Sequence, residues 1–499
     1  MLSCMLGMHE DPPGRGRVAW LFLRLLGVLY AVAFASFAVQ ARVLVGSEGL
    51  LPWAKAASRA DRWGMWERLH RMPTVLLWAT GDEALVWAGW LGAALGLALV
   101  ANVAPKLIAL VLWALYLSVS VAGQAFYHFQ WDNLLIETGL LAVVLAPGGL
   151  RPGAREPSSG AVLLLRWLFF RVFFESGVAK LASGDETWRD LTAMVAYYET
   201  APLPTAGGWW LHQLPEWAHK ASALLTLAGE LGLPFLMFFG RRGRLIAFLG
   251  AALFSATVAF SANYAFFNHL SVVIALMALD DRHLATLAER LGRRMPPAGP
   301  ATRRGSETVV WARRAIVAVL LLLPTVDFVE SLGRGQHVPA PVGRVNRWLA
   351  PFRSFNTYHL FANMTGTRDE VEIQGTDDGR EWRAYRFHHK PGATDRAPTF
   401  VAPHQPRVDF QLWFLTLSWR RRAHPYFTRL MEQLCHDPPA VADLFSVNPW
   451  PTQPPKALRV AIHRYTFGNI AEWRRAGTYW RREPRGHLKR IWRCDASPG

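Results

Sequence analysis

The stretch Ala161-Val-Leu-Leu-Leu-Arg-Trp-Leu-Phe-Phe-Arg-Val-Phe-Phe-Glu-Ser-Gly-Val-Ala-Lys-Leu181 decides the fold of this chain. It is long and apolar enough to cross a bilayer as one helix, which takes about 20 residues. It also carries four ionisable side chains, Arg166, Arg171, Glu175 and Lys180. Charges at bilayer depth are costly and face partners inside a helix bundle. The stretch therefore predicts a membrane helix surrounded by other helices.

Similar apolar blocks occupy the first two thirds of the chain. Eight of them have about the length of a membrane helix: residues 18–39, 84–102, 107–126, 133–146, 221–239, 245–262, 266–279 and 315–332. With 52% hydrophobic and only 18% charged residues, the 499-residue chain is not mainly disordered. We therefore predict a polytopic α-helical membrane domain of about nine spans over residues 1–332.

Residues 333–499 differ in composition and contain no further block of that kind. Val371 and Ile373 alternate with Glu370 and Glu372, as in a strand with one solvated face. The dipeptide Asp378-Gly379 follows and is typical of a tight hairpin turn. We predict a soluble, β-rich domain here, resembling a sandwich or jelly roll.

The basic residues suggest an orientation. Lysine and arginine outnumber aspartate and glutamate by 54 to 37, and they accumulate in short cytoplasmic loops of membrane proteins. Nine spans place most basic loops on one face, including Arg15, Arg17, Lys106, Arg151, Arg155, Arg241, Arg242, Arg244 and the arginines of residues 282–314. The N-terminus is then cytoplasmic, and the C-terminal domain is periplasmic in a bacterial inner membrane or lumenal in an endoplasmic reticulum. A basic, Trp-rich loop at residues 42–71 is the exception, which an interfacial helix would explain.

Cysteines are few. Cys4, Cys435 and Cys494 cannot build a disulfide framework, although the last two could pair in an oxidising compartment. We do not predict that bridge.

The C-terminal tail alternates bases with aromatic residues, a pattern that also occurs on nucleic-acid surfaces. The predicted orientation excludes nucleic acid as a partner. Anionic membrane lipids, a protein client or plain solvent are the alternatives for this surface. The aromatic residues that we predict as client contacts are Tyr465, Phe467, Trp473 and Trp480.

The charges of the fifth block predict specific pairs. Arg171 and Glu175 lie one helical turn apart and should pair with each other. Arg166 and Lys180 lie on another face and need partners from other helices. Two glutamates within other apolar blocks are candidates, Glu137 and Glu230. The network either specifies helix packing or leaves Lys180 desolvated enough to act as a base.

A polar segment with Trp and Pro follows this block and includes Asp185, Trp188, Arg189, Asp190, Tyr198 and Glu199. Such a composition at a membrane edge predicts an ordered loop that covers a cavity between helices. His128, Trp131 and Asp132 should lie at the same outer side. We expect Asp132, His128, Asp185, Arg189 and Asp190 to converge, unless these residues only cap helices and fix loops.

Known catalytic motifs are absent from the sequence. It has no P-loop, no GxGxxG after a strand, no HExxH and no GxSxG. His388 and His389 are adjacent on a predicted strand, so their side chains face opposite ways and do not share a metal. We therefore predict no cofactor and no metal site.

Several long strings resemble the lipase maturation factor family. They are Gln130-Trp-Asp-Asn-Leu-Leu-Ile-Glu-Thr-Gly139, Ser176-Gly-Val-Ala-Lys-Leu-Ala-Ser-Gly-Asp-Glu-Thr-Trp-Arg-Asp-Leu-Thr192, Tyr198-Glu-Thr-Ala-Pro-Leu-Pro204, Phe400-Val-Ala-Pro-His-Gln-Pro-Arg-Val-Asp-Phe-Gln-Leu-Trp-Phe414 and Asn448-Pro-Trp-Pro451. The resemblance implies a multi-span membrane protein that helps lipases fold and assemble through its C-terminal region. Residues of these strings and of the charged block form our predicted binding or structural motif: Trp131, Glu137, Asp185, Trp188, Arg189, Asp190, Tyr198, Glu199, His404 and Arg407.

Ser176-Gly-Val-Ala-Lys-Leu181 also resembles, more remotely, the segment that holds the basic lysine of vitamin K-dependent γ-carboxylases. This similarity implies that Lys180 would inherit the role of base. That family has a histidine in the string where this chain has Leu134, so a catalytic-type side chain is missing here.

Two hypotheses follow. The first is a non-enzymatic, chaperone-like assembly factor for exported client proteins such as lipases, and it predicts that truncation after Leu332 abolishes function but leaves the membrane part inserted. The second is a membrane enzyme acting on a lipid-like or quinone-like substrate, with Lys180 as base and Glu175 and Asp132 nearby. A lipid or ion transporter has less support, because no inverted repeat is visible.

Overall fold

The computed structural model describes residues 14–295, 298–299, 307–334, 339–418 and 424–494. Each of the nine predicted apolar blocks coincides with a helix in this part of the chain. The helices up to residue 329 are α1 (Gly16–Ala38), α2 (Ala41–Val45), α3 (Trp53–Ser58), α4 (Met65–Arg71), α5 (Asp82–Val100), α6 (Pro105–Ala122), α7 (Gln130–Leu145), α8 (Ser159–Ala182), α9 (Glu186–Arg189), α10 (Ala193–Thr200), α11 (Ala206–His212), α12 (Glu216–Leu236), α13 (Gly240–Ser261), α14 (Phe267–Ala275), α15 (Asp281–Arg290) and α16 (Glu307–Val329). Single 3-10 turns occupy Val75–Leu77, Gln124–Tyr127 and Leu276–Ala278, and a π-helical turn at Glu330–Arg334 follows α16.

Helix α8, which contains the charged stretch, lies at the centre of the bundle. It packs against α7, α12, α14 and α16. Arg171, Glu175 and Lys180 on this helix are at most 2% exposed. The prediction that this helix is surrounded by other helices is confirmed.

Five helices in the described part of the chain are long and apolar enough to cross a membrane by themselves. They are Gly16–Ala38, Asp82–Val100, Pro105–Ala122, Gly240–Ser261 and Arg314–Leu332. The predicted number of nine spans is not confirmed by this criterion. Helices α7 and α14 are shorter than this criterion requires, and helices α8 and α12 carry the buried charges. The four apolar blocks that form these helices therefore do not meet the criterion.

Helices α1 and α5 approach closely where two glycines meet. A Cβ atom on Gly96 would lie 2.6 Å from the backbone nitrogen of Ala31 and 2.7 Å from the carbonyl oxygen of Gly27. Any side chain at either glycine would push the helices apart. Small residues at a helix crossing are the usual means of bringing two membrane helices into backbone contact.

The C-terminal part combines sheet and helix. Its strands are β1 (Arg368–Thr376), β2 (Arg383–Ala384), β3 (Arg386–Phe387), β4 (Phe445–Val447), β5 (Ala457–Phe467), β6 (Trp480–His487) and β7 (Trp492–Arg493). Its helices are α17 (Ala340–Leu349), α18 (Arg407–Ser418), α19 (Pro425–His436) and α20 (Ile470–Ala476), with 3-10 turns at Ala350–Phe352 and Pro438–Leu444. An antiparallel sheet has the order β2-β1-β5-β6 with β7 beside β5, and β3 pairs with β4 separately.

This arrangement agrees with a β-rich domain, but it does not confirm a sandwich or jelly roll. Helix α18 contacts β1, and α19 contacts β5 and β7, so helices cover the described sheet. The hairpin turn at Asp378-Gly379 is present, with Gly379 at φ +73°. The predicted solvated face of β1 is wrong, because Glu370 is only 2% exposed and Arg368 only 1%.

A disulfide joins Cys435 on α19 to Cys494 beside β7. The sequence analysis did not predict this bridge, because a small number of cysteines says nothing about how close two of them come. The bond closes a loop across a sequence separation of 59 residues.

Candidate functional site

An irregular segment of the C-terminal part, residues 353–364, lies against the helical bundle. We call it the strap. Its Asn356 carbonyl oxygen accepts a hydrogen bond from Arg171 Nη1 (2.8 Å), and its Asn356 Nδ2 donates to Glu137 Oε2 (3.1 Å). The Tyr358 hydroxyl donates to the same Glu137 oxygen (2.8 Å), and the Tyr358 backbone N–H donates to Glu175 Oε2 (2.9 Å). The strap therefore completes the polar core of the bundle.

The ion pairs of α8 differ in part from the prediction. The predicted pair of Arg171 and Glu175 is present, with 3.9 Å between Nη1 and Oε1, but Arg171 Nη2 binds Glu137 Oε1 more closely. Glu137 was predicted as a partner for Arg166 or Lys180. Arg166 instead donates to the carbonyl oxygens of Met277 (2.8 Å) and Ala278 (3.1 Å). Backbone carbonyl oxygens can accept the hydrogen bonds of a partly buried guanidinium, and the sequence does not mark them.

Lys180 pairs with Glu230, one of its two predicted partners. Its Nζ lies 2.8 Å from Glu230 Oε1 and 2.7 Å from the Leu360 carbonyl oxygen of the strap. The side chains of Lys180 and Glu230 are 1% and 6% exposed. Both partners already occupy the ammonium group, which favours a structural role over that of a free base.

Arg407 at the start of α18 forms the second buried link between the two parts of the chain. Its Nη1 donates to Asp132 Oδ2 (2.7 Å) and its Nη2 to Asp132 Oδ1 (2.8 Å). Nη1 also reaches the Phe126 carbonyl oxygen at 2.8 Å, and the guanidinium carbon lies 3.7 Å above the Tyr127 ring. The Tyr116 hydroxyl donates to Asp132 at 2.7 Å. Such a two-bond pair fixes both position and orientation.

The residues before Arg407 dock on the end of α1. His404 Nδ1 lies 2.9 Å from the Ser36 hydroxyl. Gln40 Nε2 donates to the Gln405 carbonyl oxygen (2.9 Å), and Arg407 N donates to Gln40 Oε1 (3.0 Å). His404 and Arg407 were singled out through the family resemblance, and both lie at this junction.

The predicted convergence of polar loop residues does not occur. Asp185 caps α9 by accepting from Thr187 N (2.9 Å) and holds the strap through Met364 N (2.6 Å). Asp190 accepts from Thr192, and both Asp190 and Arg189 are exposed. His128 contacts Arg353 rather than these residues. Capping and loop-fixing contacts, the predicted alternative, account for Asp185 and Asp190.

Trp188 and Glu199 reach the junction between the bundle and the outer domain, whereas Tyr198 stays within the bundle. Trp188 Nε1 donates to the Phe361 carbonyl oxygen (3.0 Å). The Glu199 carboxylate accepts from Phe467 N of β5 (2.9 Å), and Tyr198 packs beside His219. The α10 segment therefore joins the bundle to the outer sheet.

Two cavities adjoin the strap. One of about 500 Å³ lies between α8, α12 and α13 and is lined by Lys180, Trp188, Tyr197, Tyr198 and Glu230 among others. The second, of about 440 Å³, lies on the side of α18. Side chains that line both are Trp131, Tyr197, Tyr264, Leu360 and Phe361. The prediction that the polar segment covers a cavity between helices is confirmed.

Burial shifts three titratable groups of the outer domain. It lowers the pKa of His389 to about 4 and raises the pKa of Asp409 to about 6, although His389 N donates to Asp409 Oδ1 at 2.7 Å. Burial also lowers the pKa of Lys390, against the opposing charge of Glu370. The neutral His389 stabilises the fold above its ordinary pKa and loses that effect as the pH falls towards 4. Asp409 has the opposite effect on stability, because its contribution to the free energy of unfolding is lost as the pH rises through 6.

Sequence reasoning missed several residues at this junction. Arg368 donates to the carbonyl oxygens of Glu199 (2.9 Å) and Pro202 (2.9 Å) and pairs with Glu370 at 2.6 Å. Asn356 and Tyr358 of the strap were also missed. One signal was available for Arg368 and Glu370, since opposite charges two positions apart in a strand lie on the same face.

Among the described residues, no group of three or more His, Cys, Asp or Glu side chains is placed to hold a metal ion.

Comparisons with known proteins cover both parts of the chain. The family model for the lipase maturation factor transmembrane domain matches residues 17–286, and that for the lipase maturation factor C-terminal domain matches residues 354–489. Among the similar proteins, "Lipase maturation factor 2" of Homo sapiens is 33% identical over 93% of this chain and 81% of its own length. The Rattus norvegicus protein of the same name is 32% identical with the same coverage, and "Lipase maturation factor 1" of Bos taurus is 31% identical over 96% of this chain and 92% of its own length. No solved structure gives a significant match.

These relatives are named for maturation of lipases and lend the γ-carboxylase-like hypothesis no support. The bundle, the strap and the outer sheet all lie within or beside the matched regions. This chain belongs to the lipase maturation factor family.

Proposed function

We propose that this chain is a membrane-embedded maturation factor that assists exported client proteins, lipases among them, in reaching their folded and assembled state. The observation that carries the proposal is the similarity to named lipase maturation factors across both the helical and the outer domain. The buried links formed by Arg407 and the strap support it, because they hold the outer domain rigidly on the membrane. A client that emerges from the bilayer would thus meet a fixed surface beside it.

Most of the aromatic residues that we predicted as client contacts are in the core. Tyr465, Phe467 and Trp480 are only 2–3% exposed. Trp473 is half-buried and packs against Trp209 and Trp210, with ring centroids 6.0 and 5.5 Å away. These contacts join α20 to α11, so the aromatic side chains serve the fold rather than a client.

The tail's basic residues remain accessible and form what we call the basic face. It consists of Arg474, Arg475, Arg485, Lys489 and Arg490. Neighbouring arginines are engaged: Arg481 pairs with Glu472 and Arg482 with Glu372. Exposed charges of one sign speed encounters with a partner of the opposite sign and align it. We assign the basic face to the first contact with acidic surface on an immature client, beside the surrounding membrane lipids.

The test is maturation of a secreted lipase in cells that carry this chain as their sole maturation factor, read as lipase activity per mass of exported lipase. We expect the variant Arg474→Glu/Arg475→Glu to lower this ratio and to weaken capture of the client by about fivefold to tenfold. The variant Arg380→Glu/Lys456→Glu is the matched control, because it reverses two exposed charges of the same domain outside the basic face.

Two outcomes would count against these proposals. Equal effects of both charge reversals would show that the basic face is not the contact surface. A wild-type chain that leaves the activity per mass of lipase no higher than in cells without it would overturn the maturation function itself.

Truncation after Leu332 is a poor substitute for this test. It removes Arg407, which leaves the buried Asp132 carboxylate without its cation. It also removes the Tyr358 hydroxyl that binds Glu137 and the Leu360 carbonyl oxygen that binds Lys180. Unpaired buried charges destabilise a protein strongly. The truncated bundle is therefore expected to lose stability as well as function, contrary to the simple prediction from the sequence.

We further propose that the N-terminus is cytoplasmic and the outer domain extracytoplasmic. The distribution of basic loops supports this orientation, and so does the Cys435–Cys494 disulfide, since such bonds persist in oxidising compartments. The boundary between the two domains at residues 332 and 333 also remains our proposal. Structurally the strap, on the C-terminal side of that boundary, completes the helical part.

The disulfide provides a direct check of the orientation. Cells quenched in acid and treated with an alkylating reagent should yield protein in which Cys435 and Cys494 are modified only after reduction. Reduction of the purified chain should then lower its stability by up to about 4 kcal/mol, as expected for a loop of this length. The variant Cys435→Ser/Cys494→Ser should be insensitive to the reductant. Alkylation of both cysteines without prior reduction would place the outer domain in a reducing compartment.

A further inference from the structure

The cavity of about 500 Å³ next to the Lys180–Glu230 pair has no role in the maturation function as proposed so far. Its volume is typical of sites that hold one small molecule, about 300–1,000 Å³. We infer that it binds a membrane lipid with a single acyl chain and an uncharged, oxygen-rich head group, of the monoacylglycerol type.

The walls of the cavity fit an acyl chain that enters from the bilayer. Leu225 on α12 and Leu253 on α13 line it and are 69% and 71% exposed, so they stand at an opening on the outside of the bundle. Helix α13 is one of the five membrane-crossing candidates, and only 22% of its most apolar window is buried. Its outer surface thus faces lipid. Leu233 and Phe254 continue the apolar lining inward.

Polar groups gather at the strap end of the same cavity. The lining there includes the hydroxyl-bearing residues Ser222, Thr226, Tyr197, Tyr198, Ser261 and Tyr264. The hydroxyl groups of Thr226, Ser261 and Tyr264 donate to protein oxygens, so their own oxygen atoms can still accept hydrogen bonds from a hydroxylated head group.

The charge of the lining argues for an uncharged head group. Among the described residues that line it, Lys180 and Glu230 are the only charged side chains, and they form an ion pair with each other. A carboxylate or phosphate would have to break this buried pair to find a cation, and breaking such a pair leaves an uncompensated charge. A glycerol-type head needs only hydrogen bonds, which the hydroxyl groups of the lining can supply.

The volume argues for one chain rather than two. The strap residues Leu360 and Phe361 separate this cavity from its neighbour beside α18. A second acyl chain would have to displace them. Because the strap is tied to Lys180 through the Leu360 carbonyl oxygen, a bound lipid would touch the segment that connects the bundle to the outer domain.

The test uses the full chain in proteoliposomes that contain a photoactivatable, diazirine-bearing monoacylglycerol, with labelled peptides mapped by mass spectrometry. We expect labelling around Phe361 and the outer half of α13. Excess unlabelled monoacylglycerol should compete, whereas a two-chain phosphatidylcholine and a free fatty acid should compete weakly. Better competition by the fatty acid would overturn the uncharged head group, and equal competition by phosphatidylcholine would overturn the single chain.

Two variants locate the site. Gly229 lines the cavity, and a Cβ atom there meets Leu233 at 3.6 Å and Phe254 at 3.9 Å, so Gly229→Leu should fill the space and lower labelling by about tenfold or more. Gly232→Leu is the matched control on the same helix, because its Cβ position meets nothing within 4 Å and it is exposed. Equal labelling of both variants would overturn the site.

Thr226→Val keeps the shape of the side chain but removes a hydroxyl group of the lining, and it should weaken labelling by roughly threefold to tenfold, the worth of one hydrogen bond. This variant and the competition series decide the question even if Gly229→Leu fails to fold. Lipase maturation is not a readout here. Failure of the lipid site therefore leaves the proposed function intact, and the reverse also holds.

Discussion

Replacing Arg407 with methionine is expected to lower the free energy of unfolding of this chain by about 3–5 kcal/mol, the cost of removing one partner from a buried ion pair. The substitution keeps the length of the side chain but leaves the Asp132 carboxylate with Tyr116 as its remaining partner at this site. It also removes the donor to the Phe126 carbonyl oxygen. Because Arg407 and Asp132 are 1% and 0% exposed, water does not replace the lost bonds.

Denaturant titration in detergent micelles, followed by tryptophan fluorescence, would measure this loss. Arg464→Met is the matched control, since Arg464 also pairs with an aspartate, Asp369, but the two side chains are 22% and 34% exposed. Its loss should be no more than about 1 kcal/mol. An equally small decrease in the free energy of unfolding for Arg407→Met would mean that water reaches the junction at Asp132 and that this junction does not hold the outer domain. Limited proteolysis should show the same difference, with the outer domain released earlier in the Arg407 variant.

The sequence predicts the helical part of this fold well, because every residue of an apolar block contributes to the free energy of transfer out of water. All nine apolar blocks coincide with helices in the described chain. The buried charges were also visible, since an Arg, Glu or Lys within such a block stands out. The sequence does not identify a partner that is a backbone group. Lys180 donates to the Leu360 carbonyl oxygen and Arg166 to the Met277 carbonyl oxygen, and neither contact could be predicted.

The outer domain was predicted less well for a related reason. A strand alternates between two faces, but the pattern alone does not say whether one or both are covered. Glu370 was taken to face solvent, yet it lies buried between Arg368 and Lys390. Tyr465 and Trp480 were taken as client contacts because aromatic residues alternate with bases in the tail, although they are buried in the core. The strap has no periodic pattern at all, so its place against the bundle could only come from the structure.

The role of Lys180 can be decided by comparing a single with a double substitution. Lys180→Met should lower the free energy of unfolding by about 3–5 kcal/mol, because it leaves Glu230 as an unpaired buried carboxylate. Lys180→Met/Glu230→Leu removes both charges and should recover most of this loss, since replacing a buried ion pair with apolar side chains often leaves the stability unchanged.

The measurement is the same denaturant titration, combined with the activity per mass of exported lipase. If the pair only specifies packing, stability and maturation return together in the double variant. If Lys180 acts on a substrate, stability returns but activity does not. Because Glu230 Oε1 and the Leu360 carbonyl already occupy the ammonium group at 2.8 and 2.7 Å, we expect the first result.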